Sequence, residues 1–250
     1  MCFTKSAACS FLAAYHTCRI ISIRPTFHHR VSQVLSQQPD RSVTVSSIGF
    51  LTNLHDLLAS GPDGHSALDG VALVRQKVRR LVWMGGRYPS SGQSFEWNFG
   101  GGGAGFNHSL VASEATNYTL SHLPLEVEVI FAGAEVGSRI KSGGNLSRCA
   151  PASNPCRAAF EAYGVGPSGH ASFDPATTLM GVRGVPGSGC STIPYTVNGT
   201  GGHNVADAAT GCNAWVHGTS SNQSYVELAC PKSASASAIG AAIDSLLCEQ

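Results

Sequence analysis

The feature that most constrains the fold is the alternation of short apolar runs with segments of helical periodicity. Residues 80–84 are apolar after Arg80 and end at the pair Gly85–Gly86, a pattern typical of a buried strand that stops at a turn. Residues 68–79, which precede this run, carry apolar side chains near helical spacing. Strands that alternate with helices predict a mostly parallel α/β sheet covered by helices on both faces.

The same alternation continues along the chain. We predict further strands at residues 42–48, 126–131 and 225–228, and short strands and loops throughout residues 186–230. Helices are predicted for residues 31–38, 52–60 with Thr52 as a cap, 111–120, 155–163, 175–180 and 234–247. Residues 100–105 are glycine-rich and predict a flexible loop.

The chain has 250 residues, enough for one large domain, and no long Pro/Ser-rich linker divides it. We therefore expect one domain at residues 31–250. Residues 1–30 remain an unassigned segment that holds three cysteines and the basic cluster His28-His29-Arg30.

Composition and motifs exclude several functions. The net charge is +1 with no basic stripe, so nucleic acid is not an expected partner. No stretch approaches the roughly 20 apolar residues of a membrane span. Glycines at 100, 102 and 105 satisfy the dinucleotide-binding pattern G-x-G-x-x-G, but they follow a polar segment rather than a strand. No G-x-S-x-G elbow occurs, so a serine hydrolase triad has no anchor.

Nine cysteines and five N-x-S/T sequons favour a secreted, glycosylated protein, with a cytoplasmic protein as the alternative. The sequons begin at Asn107, Asn117, Asn145, Asn198 and Asn222. The six cysteines of the C-terminal half allow 15 pairings. We predict a Cys149–Cys156 bridge, because a short turn can bring these residues together, with further plausible pairs Cys190–Cys212 and Cys230–Cys248.

Four short segments carry a family resemblance: Ser47-Ile-Gly-Phe-Leu-Thr-Asn-Leu54, Leu81-Val-Trp-Met-Gly-Gly-Arg87, Phe95-Glu-Trp-Asn-Phe99 and Ser172-Phe-Asp-Pro175. In this order the chain resembles the inosine/uridine-preferring nucleoside hydrolases, most closely the fungal, nucleoside hydrolase-like branch. The resemblance implies a Rossmann-like layered fold and calcium-dependent hydrolysis of the N-glycosidic bond of ribonucleosides, which yields base and ribose for purine and pyrimidine salvage. It implies a ribonucleoside substrate and is compatible with a homo-oligomer.

The resemblance also implies a site. Glu96 and Asn98 match residues that bind the ribose hydroxyls, while Asp174 and the main-chain carbonyl of Ile48 match calcium ligands. The family's leaving-group histidine is replaced here by Phe173, and His170 is a nearby stand-in. Interpretations without a binding role stay open. Glu96 and Asn98 would then be ordinary polar residues of an exposed loop, and His170 would be a solvated histidine. Asp174 would be a helix N-cap followed by proline.

One family element is absent from the sequence. The aspartate cluster D-x-D-x-x-x-D-D, which holds the family's calcium, occurs nowhere, and neither does the first strand that carries it. Calcium needs six to eight oxygen ligands, so one carbonyl and one carboxylate do not bind it tightly. We therefore expect an inactive polypeptide with a truncated or mispredicted 5′ end, and an edge at Val43 that is exposed or covered by residues 1–30.

Two hypotheses compete with the hypothesis of a nucleoside hydrolase. One is a non-catalytic, secreted relative that binds a sugar or a partner, and the other is a disulfide-stapled structural protein without an inherited site. If the site is inherited, Ile48, Glu96, Asn98 and Asp174 should meet at the carboxyl-end rim of one sheet.

Overall fold

A computed structural model describes residues 27–100, 108–185, 195–218 and 221–249. The strands are β1 (Val43–Ser47), β2 (Val78–Met84), β3 (Ser91–Ser94), β4 (Glu128–Ala132), β5 (Lys141–Ser142), β6 (His170–Ala171), β7 (Tyr195–Ala206), β8 (Asn213–Val216) and β9 (Gln223–Leu228). The helices are α1 (Phe27–Ser36), α2 (Thr52–Leu58), α3 (Gly70–Lys77), α4 (Trp97–Gly100), α5 (His108–His122), α6 (Ala134–Gly137), α7 (Leu146–Cys149), α8 (Pro155–Ala162), α9 (Phe173–Arg183) and α10 (Lys232–Cys248). None of these helices is long and apolar enough to cross a membrane.

The main sheet of the described residues has the strand order β1-β2-β4-β9-β7-β8-β3. Strands β1, β2, β4 and β9 run parallel, and β7, β8 and β3 continue the sheet in antiparallel fashion. A separate pair, β5 and β6, forms a small antiparallel sheet. The predicted α/β fold with a mostly parallel central sheet is confirmed.

Side-chain alternation along the central strands builds one core on each face of the sheet. Trp83 and Phe131 point into the core shared with α1, α2, α3 and α5. Their strand neighbours Val82 and Ile130 point into the opposite core, which α9 and α10 cover. The near-continuous apolar runs of β2 and β4 follow from burial on both faces.

Strand β1 lies at the edge of the described sheet, with β2 as its neighbour on one side. The expectation for this edge, at Val43, is that it is either exposed or covered by residues 1–30. Whether residues 1–30 cover that edge stays a prediction, since residues 1–26 lie outside the described part of the chain.

Two predicted elements differ from the structure for identifiable reasons. The helix predicted for residues 68–79 ends at Lys77, because Val78 already pairs with Val43 of β1. The short strands and loops predicted for residues 186–230 include a long strand, β7. Its glycines look like loop residues in the sequence, but a register shift between Asn198 and Gly202 accommodates them, and a Cβ at Gly199 (φ +71°) would lie 2.6 Å from the Trp215 ring.

Both predicted helix caps are wrong by one or two positions. Helix α2 begins at Thr52 itself, with Leu51 as N-cap and no capping side chain. Helix α9 begins at Phe173 with Ser172 as N-cap, so Asp174 lies inside the first turn rather than at the cap. Gly100, the start of the predicted loop, ends α4, and residues 101–105 lie outside the described residues.

The predicted Cys149–Cys156 bridge is wrong. Cys149 is bonded to Cys248 across 99 positions of sequence, with a Cα–Cα distance of 5.4 Å. Helix α10 returns across α7, and the Asn154 side chain donates a hydrogen bond to the Leu247 carbonyl at 3.1 Å, which brings Cys248 to the end of α7. The Cys230–Cys248 pairing is excluded with it, and Cys190 of the third predicted pair lies outside the described residues.

Candidate functional site

Glu96 lies at the carboxyl end of β2, where its carboxylate accepts hydrogen bonds from the backbone of the following loop. Its Oε2 accepts hydrogen bonds from the backbone N–H groups of Gly86 at 3.1 Å, Asn98 at 2.9 Å and Phe99 at 3.3 Å. Only 6% of the residue is exposed. Burial raises the pKa of this carboxyl above its ordinary value, and the backbone N–H groups oppose the rise.

Asn98 lies on the four-residue helix α4 and is also buried. Its Nδ2 donates to the carbonyl oxygen of Met84 at 3.0 Å and contacts the Met84 Sδ at 3.1 Å. Glu96 and Asn98 are therefore both fastened to the last residues of β2. The interpretation of these two residues as an ordinary exposed loop is wrong.

A network of buried amides fixes the loop that follows β2. Asn213 of β8 accepts from the Arg87 N–H at 3.0 Å and donates to the Arg87 carbonyl at 3.2 Å. It also donates to Asn204 of β7 at 3.1 Å, and Asn204 donates to the Tyr88 hydroxyl at 2.9 Å. Sequence reasoning missed both asparagines, because they lie more than 100 positions from this loop, in a region where the sequence predicts short strands but not which of them pair beside it.

Sequence reasoning also missed a second carboxylate beside this loop. Glu135 follows β4 and accepts the Tyr88 N–H on Oε1 at 3.1 Å, while its Oε2 is buried without a hydrogen-bond partner among the described residues. Burial raises the pKa of Glu135 to about 7, against the opposing effect of backbone N–H groups and Arg87. A glutamate just beyond the carboxyl end of a parallel strand was the available signal.

Asp174 reaches the same end of the sheet from the opposite layer. One turn further along α9, Thr178 Oγ1 lies 3.4 Å from Ser46 Oγ near the end of β1, and a Cβ at Gly137 would lie 2.5 Å from the Phe173 ring. Burial alone raises the pKa of Asp174 to about 6. The first turn of α9 therefore stands above the carboxyl ends of the parallel strands, with a desolvated carboxyl group.

Ile48 immediately follows β1, so its carbonyl also belongs to this rim, and its side chain is 38% exposed. Ile48, Glu96 and Asn98 thus lie at the carboxyl ends of β1 and β2, whereas Asp174 lies on α9, in the layer on the opposite face of the sheet. That all four meet in one site stays a prediction. Their contacts with a ligand stay predictions.

The acidic residues that the structure describes in this region do not gather into a cluster. Among the described residues, no group of three or more His, Cys, Asp or Glu residues is arranged to hold a metal ion. Asp174 and the Ile48 carbonyl would supply two or three oxygens where calcium needs six to eight.

His170 lies on β6 and is exposed. Its Nδ1 lies 3.0 Å from the Ala171 carbonyl, and its ring packs edge-on against Tyr163 at a centroid distance of 5.1 Å. These local contacts give no support to a role as proton donor.

Comparisons with known proteins support the fold at low identity. No family model matches the chain, and no curated protein matches it. A plant nucleoside hydrolase is similar in structure at 15% identity and a TM-score of 0.55, covering 94% of this chain and 72% of its own. The inosine-uridine preferring nucleoside hydrolase from Bacillus anthracis gives 16% identity and a TM-score of 0.56, covering 91% of this chain and 66% of its own.

These matches define the class of fold: the chain has the architecture of the nucleoside hydrolases. It spans about two thirds to three quarters of the length of these solved structures.

Proposed function

We propose that the chain is a nucleoside hydrolase-like protein that binds the ribose of a ribonucleoside at the Glu96–Asn98 corner, and that this polypeptide does not hydrolyse the nucleoside by itself. The observation that carries the proposal is the burial of both side chains at the carboxyl end of β2, where backbone contacts hold them in fixed positions. Ligands of α/β sheets bind beyond this end of the strands.

The chemistry of the corner suits a vicinal diol. The N–H groups converge on Oε2 of Glu96, and we assign its Oε1, together with Oδ1 of Asn98, to the ribose hydroxyls. Hydrogen bonds from hydroxyls to a desolvated carboxylate are stronger than those between neutral groups. Recognition through ribose predicts that purine and pyrimidine ribonucleosides bind alike.

The proposed lack of hydrolysis rests on the calcium ligands. Among the described residues no three His, Cys, Asp or Glu side chains are arranged to hold a metal ion, and the 250-residue sequence contains no D-x-D-x-x-x-D-D cluster. We therefore derive no catalytic step from this chain. Mapping the 5′ end of the transcript tests the enzyme alternative, because an upstream in-frame exon with that cluster would restore it.

Calorimetric titration with inosine, uridine, 2′-deoxyinosine and hypoxanthine tests the binding proposal. We expect similar affinities for inosine and uridine and at least a ~10-fold weaker affinity for the deoxynucleoside, since a site built to bind a hydroxyl discriminates against its loss. Glu96→Gln should weaken inosine binding, whereas the exposed control Glu114→Gln on α5 should not. Equal binding of hypoxanthine and inosine would refute ribose recognition.

A non-catalytic, secreted sugar-binding protein is the alternative. It would bind free ribose or another sugar as tightly as a nucleoside, which the same titration detects. The Cys149–Cys248 disulfide supports secretion. Of the sequons, Asn117 and Asn198 donate their Nδ2 groups to Ala206 and Glu227, whereas Asn145 and Asn222 are exposed. Secretion thus predicts a glycosidase-sensitive mass shift at Asn145 or Asn222.

A further inference from the structure

A groove with a cavity of about 990 Å³ runs along α10, in the layer opposite the Glu96–Asn98 corner. Small side chains of α10, among them Ala236, Ser237 and Gly240, form one side, and the segment from the end of α6 to α7 forms the other. A Cβ at Gly240 would lie 2.2 Å from the Lys141 carbonyl, so helix and segment are in direct contact there. The Cys149–Cys248 bond joins them at the far end.

The groove is basic, unlike the chain as a whole. Arg139, Lys141, Arg148 and Lys232 line it, whereas its one carboxylate, Asp244, already accepts the Gly143 N–H at 2.6 Å. Lys232 forms an ion pair with Glu227 at 3.4 Å, but none of the other three cations pairs with a carboxylate of the described residues. The full sequence, with 16 basic and 15 acidic residues, is nearly balanced.

The cations are distributed along the length of α10. Lys232 is its first residue, Lys141 stands opposite Gly240, and Arg148 precedes the cysteine that is bonded to Cys248. Positions 232, 240 and 248 of α10 are separated by equal numbers of residues, and each interval corresponds to about 12 Å along the helix axis. The positive charge therefore extends over about 24 Å.

This spacing decides what kind of anion fits. A single phosphate group reaches one cation position, whereas an extended polypeptide, at about 3.3 Å per residue, covers all three with seven or eight residues. Duplex nucleic acid carries a charge every ~1.7 Å and selects broad basic surfaces, which a net charge of +1 does not provide.

We propose that the α10 groove binds an extended acidic polypeptide segment. Fluorescence anisotropy with a labelled eight-residue peptide of alternating Glu and Gly tests this on the intact, oxidised chain at low salt. The variant Lys141→Glu/Arg148→Glu removes two cation positions. The control Arg79→Glu/Arg183→Glu makes the same change of net charge at exposed arginines outside the groove.

We expect saturable binding that weakens with salt, a loss of at least ~10-fold for the groove variant and less than ~2-fold for the control. Circular dichroism verifies that both variants fold. Equal losses in the two variants, or no binding up to ~1 mM peptide, would overturn the proposal. A sulfated oligosaccharide of equal charge that binds at least ~10-fold more tightly, with the same sensitivity to the groove variant, would overturn the acidic polypeptide as the occupant.

Discussion

Glu96 is a buried carboxyl group and Asp174 a partly buried one, and their surroundings differ. Glu96 Oε2 accepts three backbone N–H groups, and those groups belong to the same β2–α4 corner. Asp174 is desolvated, and no donor or cation lowers its pKa, which burial raises to about 6. The first carboxylate is stabilised by its own local chain, whereas the second is not compensated by the described residues.

Under the proposed function, this difference separates two parts of the site. The proposed ribose part is held by hydrogen bonds to the end of β2 and the loop after it, and needs no bound ion for its support. The calcium part would draw its ligands from distant segments, and a bound cation would stabilise the ionised form of Asp174. The Glu96–Asn98 corner is therefore held by protein groups alone, whereas the burial cost of Asp174 is not offset by the described residues.

The largest effect is expected for Glu96→Ala. The substitution leaves the Gly86, Asn98 and Phe99 N–H groups without their buried acceptor, which should lower the free energy of unfolding by about 4 kcal/mol. Urea denaturation measures it, with Glu114→Ala on the exposed face of α5 as the control. A loss below ~1 kcal/mol would show that the corner is not held by this carboxylate.

Glu135→Gln should stabilise the protein by about 2 kcal/mol at pH 8. The pKa of Glu135 is raised to about 7 in the folded state from an ordinary 4.5, so folding favours the protonated form and stability falls as pH rises between these values. Glutamine mimics the protonated form and keeps an acceptor for the Tyr88 N–H. The gain should vanish near pH 4. A destabilised variant at pH 8 would mean that the ionised carboxylate has a partner.

Asp174→Asn should act in the same direction but less strongly, by roughly 1–2 kcal/mol at pH 8. Its pKa moves from 3.8 to about 6, so the cost of the folded state appears as pH rises through this window and is absent below it. Denaturation of wild type and variant from pH 4 to pH 8 gives the difference. If calcium stabilised the wild type but not the variant, the contrast between the two carboxylates would fail.

The smallest effect is expected for His170→Ala. The histidine is exposed and contacts Ala171 and Tyr163 locally, so stability should change by less than about 0.5 kcal/mol and inosine affinity by less than ~2-fold. Titration of the variant checks this. A larger loss of affinity would place His170 in the ligand site.

The sequence predicted the parts of the molecule that local patterns control. The apolar run before Gly85–Gly86 predicted β2, and the short E-W-N segment located the buried corner that follows it. Local patterns did not predict elements whose position depends on pairing between strands that are distant in sequence. The glycines of β7 concealed a 12-residue strand, and with it the position of Asn204 in the buried network.

The disulfide illustrates the same limit. Proximity in sequence favoured Cys156 as the partner of Cys149, but the return of α10 across α7 brings Cys248 there instead. Glu135 was missed because its local sequence does not show that its carboxylate accepts a hydrogen bond from the Tyr88 N–H, 47 positions earlier.

Release of free base from inosine and uridine tests the central claim most directly. The purified chain, incubated with each nucleoside with and without calcium and assayed by chromatography, should bind the nucleoside but release base only at the uncatalysed rate. The reason is that the proposed ribose-binding corner is buried and held in place, while no cluster of three or more His, Cys, Asp or Glu residues among the described residues could hold a metal ion. Calcium-dependent base release that disappears in Asp174→Ala would contradict this account.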